Sequence, residues 1–389
     1  LLLQFKIPLI LLTCIGFMLG VKGRLLVYTN RSSLDYFKRI YLPIVYLAAI
    51  VLAVKWLILL SSNVLSGWQS FGDAYHSVYE DYERGSAQLS FSYIFEIIQI
   101  AFISFSALIC IASSFEPRPI FLKRIMFFVI FSFVAIPLLE NGKMKYVGDL
   151  FIFYFAMLMV AVGQRKLRIS LKMSLKVILA ISLFIAVLAA ILSSRYSVGN
   201  VDLANVADKI HPLMNWRDDS ILIYIFGDIV GFGIGMLSVY LTNGMYGLSI
   251  CLSMPFEWTY MFGSSYSLGR IVEYLVGQDI SIVESAYPMR AEAFGWGMDK
   301  WHTVYAWIAS DYTFPGALIV AFLVAFFYGR VWLRVLQNSN PAAPIMFILL
   351  TLGMVFSLAN NQLLHSLAGC FLVIFTSLLY LICGRVDVK

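Results

Sequence analysis

Residues Trp301–Leu336 read WHTVYAWIASDYTFPGALIVAFLVAFFYGRVWLRVL. The first half gathers His302, Thr303, Asp311 and Thr313 among tryptophans and tyrosines, whereas the run 314–329 carries no charge and ends on Arg330 and Arg334. The apolar run 314–336 is long enough for a bilayer-spanning helix. Arginines at its far end assign that end to the cytoplasm, where Lys and Arg accumulate. The polar mouth then faces the opposite side. Its Trp and Tyr fit a belt at headgroup level, while its His, Thr and Asp invite a reading as a site.

The rest of the chain has the same character. Of 389 residues, 61% are hydrophobic and 13% charged, against about 25% charged in an ordinary soluble domain. The sequence predicts an all-α polytopic integral membrane protein, a single membrane domain over 1–389. Apolar runs occur at 1–20, 41–61, 92–115, 125–139, 146–163, 177–194, 314–336, 345–362 and 367–383. The linkers 21–40, 116–124 and 164–176 are basic and are assigned to the cytoplasm. On that topology the cytoplasmic side holds 17 Lys/Arg and 3 acids, and the outer side 9 Lys/Arg and 17 acids. The net charge of +6 therefore belongs to membrane orientation and points to no nucleic acid.

The segment 221–242, ILIYIFGDIVGFGIGMLSVYLT, is apolar enough to span, but one crossing there would invert every later charge. The charge rule asks for an even number: 221–242 lies at the surface or re-enters, or 244–262 returns. Nine or eleven spans follow, within a bundle of about 10–12 transmembrane helices, and one span upstream of Leu1 would give a cytoplasmic start. Residues 195–313 form a large outer insertion.

The five cysteines are scattered without a CxxC, and no HxxH or HExxH is present, so neither a disulfide framework nor a metal site is indicated. Neither a nucleophile elbow nor a phosphate-binding glycine loop occurs, and no cofactor is implied. All four histidines (His76, His211, His302, His365) map to the outer side or its edge, as do Arg195, Arg217, Arg270 and Arg290. Arginine recognises phosphate through a planar fork of donors, so Arg195 and Arg290, with Arg217, are candidates to hold a diphosphate. On a helix through 302–310, His302 shares a face with Tyr305 and Ala309. An imidazole near neutral pKa suits a general base, and Asp311 and Glu292 are alternatives. Lys6, Lys55, Glu96 and Asp149 lie within apolar runs; Glu96 and Asp149 invite a functional reading by default, with polar packing near the cavity as the preferred alternative.

The runs YLTNGMYGLSICL (240–252), PFEWTYMFGSS (255–265) and WHTVYAWIASDYTFPG (301–316) resemble the bacterial O-antigen polymerase (Wzy) family of oligosaccharide repeat-unit polymerases. The resemblance implies a GT-C-like membrane glycosyltransferase in the bacterial inner membrane with its active site facing the periplasm, within the insertion 195–313. It implies undecaprenyl-diphosphate-linked oligosaccharide as donor and acceptor, membrane lipids around them, a chain-length regulator protein as partner, and metal-independent inverting transfer. His302 and Gly316 match the His…Gly spacing of the related O-antigen ligases; Thr303 and Thr313 stand where those have an amide or serine and a glycine. No Arg-x10-Gly repeat occurs at Arg195 or Arg290. Tyr240, Tyr246, Trp258 and Trp301, with Tyr260 and Trp296, are the aromatics placed to stack on sugars. A ligase acting on lipid A–core is the nearest alternative, and a lipid-linked oligosaccharide flippase a more distant one.

Overall fold

The computed structural model describes residues 1–22, 31–66, 91–167, 170–197, 219–277, 281–297 and 300–384. Among these the fold is all-helical: α1 (Leu2–Val21), α2 (Arg31–Ser66), α3 (Phe91–Ala112), α4 (Ile120–Asn141), α5 (Lys145–Gly163), α6 (Leu171–Ser197), α7 (Ile221–Cys251), α8 (Tyr266–Val276), α9 (Val304–Leu336), α10 (Ala343–Phe356) and α11 (Leu367–Gly384). Short helical turns occupy 282–294 between α8 and α9. Seven helices are long and apolar enough to cross a membrane: α1, the 37–62 part of α2, the 93–112 part of α3, α4, α5, α9 and α11. The chain is a multi-pass membrane protein.

The main core joins α2, α3, α4, α5, α10, α11 and the end of α9. From α2 it takes Phe37, Tyr41, Val45, Ala48 and Leu52, the three- and four-residue spacing of one helical face. The opposite face leaves Leu47, Ile50, Leu57 and Ile58 exposed, as a lipid-facing surface requires. Lipid tails are as apolar as these side chains, so burial alone does not drive helices together and close backbone packing matters more. Gly16 and Gly20 of α1 supply it. A Cβ on Gly16 would lie 2.5 Å from the Phe322 carbonyl, and one on Gly20 would collide with that of Phe326. Gly329 answers from α9, where a Cβ would lie 2.5 Å from the Phe17 carbonyl. These contacts, with Phe5 edge-on to Tyr305 and Phe314, set α1 and α9 side by side and parallel.

The bundle has two unlike ends. At one end Gly163 packs on Trp332 and Leu336, Asn340 donates to the Tyr380 carbonyl, and Arg334 stacks over Tyr380. Arg118 lies over Tyr41 there, and Lys123, Arg124, Arg165, Lys166 and Arg330 belong to the same helix ends. This is the basic end. The opposite end, here the histidine end, carries His302 and His365.

The segment 221–242 lies within helix α7. It begins at Ser220, whose side chain accepts from the Ile223 amide, and is broken at Gly227 (φ 73°, ψ 171°). Gly233 packs on Ala189, and Phe232 and Met236 cluster with Met144 and Leu188. Gly244 meets Leu358 and Ala359, and Gly247 meets Trp296 and His302. Every one of these partners lies toward the histidine end, although residues 232–251 cover roughly 28 Å of helix. Residues 232–247 of α7 thus pack against that end, with 232–236 set against α6.

Two expectations change. The run 345–362 forms a helix only to Phe356, a length of about 21 Å against a hydrocarbon core of ~30 Å. A turn follows, in which the Ala359 and Asn360 amides donate to the Phe356 carbonyl, Asn361 N–H donates to Asn360 Oδ1 and Leu364 N–H to Asn361 Oδ1. The run 177–194 lies within α6. His302 is outside any helix, since Thr303 is the N-cap of α9 and its side chain accepts from the Ala306 amide at 3.3 Å.

Candidate functional site

Helix α9 is broken at Thr313, with φ 64° and ψ 169° inside an otherwise helical run. Pro315 follows; it lacks an N–H and disfavours helical backbone before it. The backbone at Thr313 is in a region that normally belongs to glycine. The segment 304–312 becomes a separate pillar at the histidine end, and three parts of the chain are pinned to it.

The first is the loop after α7. Asp311, 5% exposed, accepts from the Thr259 hydroxyl (2.5 Å) and the Gly263 amide (2.8 Å) through Oδ1. Its Oδ2 accepts from the Ser264 amide (2.7 Å) and hydroxyl. The second is the 281–297 region: the Tyr287 amide donates to Ser310 Oγ at 3.0 Å, and Trp296 Nε1 to the Trp301 carbonyl. The third is the turn after α10, where Val304 N–H donates to the Ser357 carbonyl and Asn361 Nδ2 to that of Ser264.

His302 is 2% exposed. Its Nε2 lies 3.2 Å from the Gly297 carbonyl, a contact in which Nε2 carries the proton and donates. Its Nδ1 faces α7, where a Cβ on Gly247 would come within 2.8 Å. The ring is thus walled in by 297 and 247. Glu292 is on the exposed side of its short turn, against Gly297. Of the three candidate bases, only Glu292 is exposed.

Arg290 is held in an opposite-charge cradle. Nη1 lies 2.6 Å from Glu257 Oε1, Nη2 donates to the Pro255 carbonyl at 2.5 Å, and the guanidinium lies over the Tyr287 ring. Glu257 is more than half exposed, so its pairing is open to competition by a ligand anion. Arg270 instead pairs with Glu273. Arg195 lies in the last turn of α6 with its side chain outside the described residues, as are Arg217, His76 and His211.

Among the aromatics, Tyr240 packs on Trp301 at 4.7 Å and Tyr246 on the buried Trp296 at 4.7 Å. Trp258 and Tyr260 pair at 5.0 Å and are both about half exposed. They form an open aromatic surface beside the Arg290 cradle, carried by a loop with positive φ at Tyr260 and Met261. Among the described residues no three His, Cys, Asp or Glu side chains gather to hold a metal ion.

Sequence reasoning missed the SLANNQLLHS turn (357–366). Gln362 donates to buried Asp149 at 3.0 Å, and His365 lies against Tyr266 and Trp307. Burial first, then the positive charges of Lys145 and His302, push the His365 imidazole down to about 4, leaving it neutral at pH 7. The signal was Asn-Asn-Gln inside an otherwise apolar run. Thr259 and Ser264, which position the loop, carried none.

The arrangement can offer an anion one guanidinium, an exposed carboxylate two residues along, and an aromatic face. No family model matches the chain, no curated protein matches it, and no solved structure matches it.

Proposed function

We propose that the chain is a membrane glycosyltransferase of the O-antigen polymerase type, joining repeat units carried on a polyprenyl diphosphate. The observation that carries this reading is the meeting of the three family-like stretches. Residues 301–316 begin more than thirty residues after the neighbouring stretches 240–252 and 255–265, yet Gly247 touches His302, Thr259 and Ser264 bond Asp311, and Tyr240 packs on Trp301. The positive charge of the opposite end supports reading this side as periplasmic by the charge rule.

In this reading the donor diphosphate displaces Glu257 from Arg290, and the guanidinium neutralises charge as the C1–O bond to phosphate breaks. Glu292 accepts the proton of the attacking sugar hydroxyl. His302 and Asp311 hold the 297 turn and the 259–264 loop in place. Trp258 and Tyr260 supply a stacking surface for sugar, and positioning two lipid-linked chains side by side supplies much of the rate.

The test is the lipopolysaccharide ladder of a deletion strain complemented with wild type, Arg290→Ala, Glu292→Gln or His302→Ala at matched expression. A collapse to core plus a single repeat unit supports the polymerase. Loss of every O-chain band indicates a ligase, and an unchanged ladder in Arg290→Ala and Glu292→Gln removes this site.

A further inference from the structure

Away from α9, a small open cleft of about 60 Å³ lies among α2, α3, α4 and the turn into α5. Its inner wall is apolar: Leu52, Ile100, Phe133 and Ile136. Its rim carries Lys55 from α2, Glu96 from α3, Glu140 from the end of α4, and Lys143 from the turn. These groups lie within electrostatic reach of one another. None of the four forms an ion pair with another at 4 Å or less among the described residues. Lys55 and Glu96 lie inside spanning segments, where charge is costly and marks function by default.

The charges cancel, two positive and two negative. That balance disfavours a diphosphate, which would meet two carboxylates, and a bare cation, which would meet two ammonium groups. A ligand carrying both signs satisfies all four groups, and the cleft opens beside spanning helices where a lipid headgroup can reach it. We propose that this cleft binds the phosphoethanolamine headgroup of a zwitterionic membrane lipid. Lys55 and Lys143 take the phosphate, Glu96 and Glu140 take the ammonium, and the acyl chains stay in the surrounding lipid. The site is independent of the Arg290 cradle and of the transfer reaction assigned to it.

Titration of detergent-purified protein with dihexanoyl-phosphatidylethanolamine, dihexanoyl-phosphatidylglycerol or free phosphoethanolamine, read by native mass spectrometry, tests this. The ethanolamine lipid is expected to bind at least about tenfold more tightly than the glycerol lipid, since only it offers an ammonium to the carboxylates. Glu96→Gln removes that preference. Lys143→Gln, in an exposed turn, weakens both lipids and serves as the second variant should Glu96→Gln fail to fold. Equal affinity for the two lipids overturns the proposal, as does unchanged binding in both variants. Free phosphoethanolamine binding as tightly as the lipid overturns the assignment to a membrane ligand.

Discussion

Asp311→Asn separates a scaffold from a catalytic acid. In the wild type each carboxylate oxygen accepts two hydrogen bonds, from Thr259 and Gly263 on one and from the Ser264 amide and hydroxyl on the other. An asparagine keeps one accepting oxygen. Its amide nitrogen then faces the Ser264 N–H, donor against donor, while the Ser264 hydroxyl can rotate and accept. One buried N–H is stranded, at about 1–3 kcal/mol, and bonds once assisted by charge, about 1.5–3 kcal/mol each, become neutral ones. Relief from burying a carboxylate offsets part of this. A net loosening of about 2–3 kcal/mol, or at least ~30-fold in local opening, is expected for the 255–265 loop. Hydrogen–deuterium exchange read by mass spectrometry measures it, with peptides from 343–356 as the internal reference. Faster exchange confined to the loop is the expected outcome. Wild-type protection of 255–265 in Asp311→Asn would refute the bracket.

Thr313→Gly should stabilise the protein by about 1 kcal/mol: relief of roughly 1–3 kcal/mol of backbone strain is set against the 0.5–1 kcal/mol that glycine's freedom costs. A raised thermal midpoint in detergent checks it. Gly20→Ala drives a methyl into the Phe326 carbonyl, and about 1–3 kcal/mol of destabilisation is expected because backbone cannot step aside; the same midpoint reads it. His365 is lowered from 6.5 to about 4, so the unfolded chain binds the extra proton between those values. Stability present above pH 6.5 is therefore lost as pH falls toward 4, by at most about 3 kcal/mol. His365→Phe, which preserves the ring contacts with Tyr266 and Trp307, should flatten the pH dependence of the midpoint in that window.

The membrane class and most helices were legible because hydropathy and charge act over whole segments. The apolar run at 125–139 extends to α4 at 120–141. What was illegible depends on single contacts. Helix α10 ends at Phe356 and the polar Asn360-Asn361-Gln362 turn follows, and a hydropathy window averages over such a break. The Gly16-Phe-Met-Leu-Gly20 spacing is a readable packing signal for α1 on α9, and it was passed over. In the site, Asp311 and His302 could be read as interesting residues, but their burial could not, because it depends on where 259–264, 297 and 247 come to rest.

That burial changes which residues are suited to chemistry. A group that accepts four hydrogen bonds, as Asp311 does, is fixed in place and has little capacity left for a substrate proton. His302, between Gly297 and Gly247, is similarly committed to shape. Arg290 and Glu292 sit on the short turns that those two residues help to position, one guanidinium in an exchangeable pair and one carboxylate exposed. The break at Thr313 separates this pillar from the membrane half of α9, where Gly329 is locked against α1. The lower half of the helix can therefore stay fixed by backbone packing while the upper half carries loops held by polar brackets. The transfer proposed above, between two long lipid-linked chains, would draw on such a division: a rigid membrane stem, and a head whose loops are fastened at a few points.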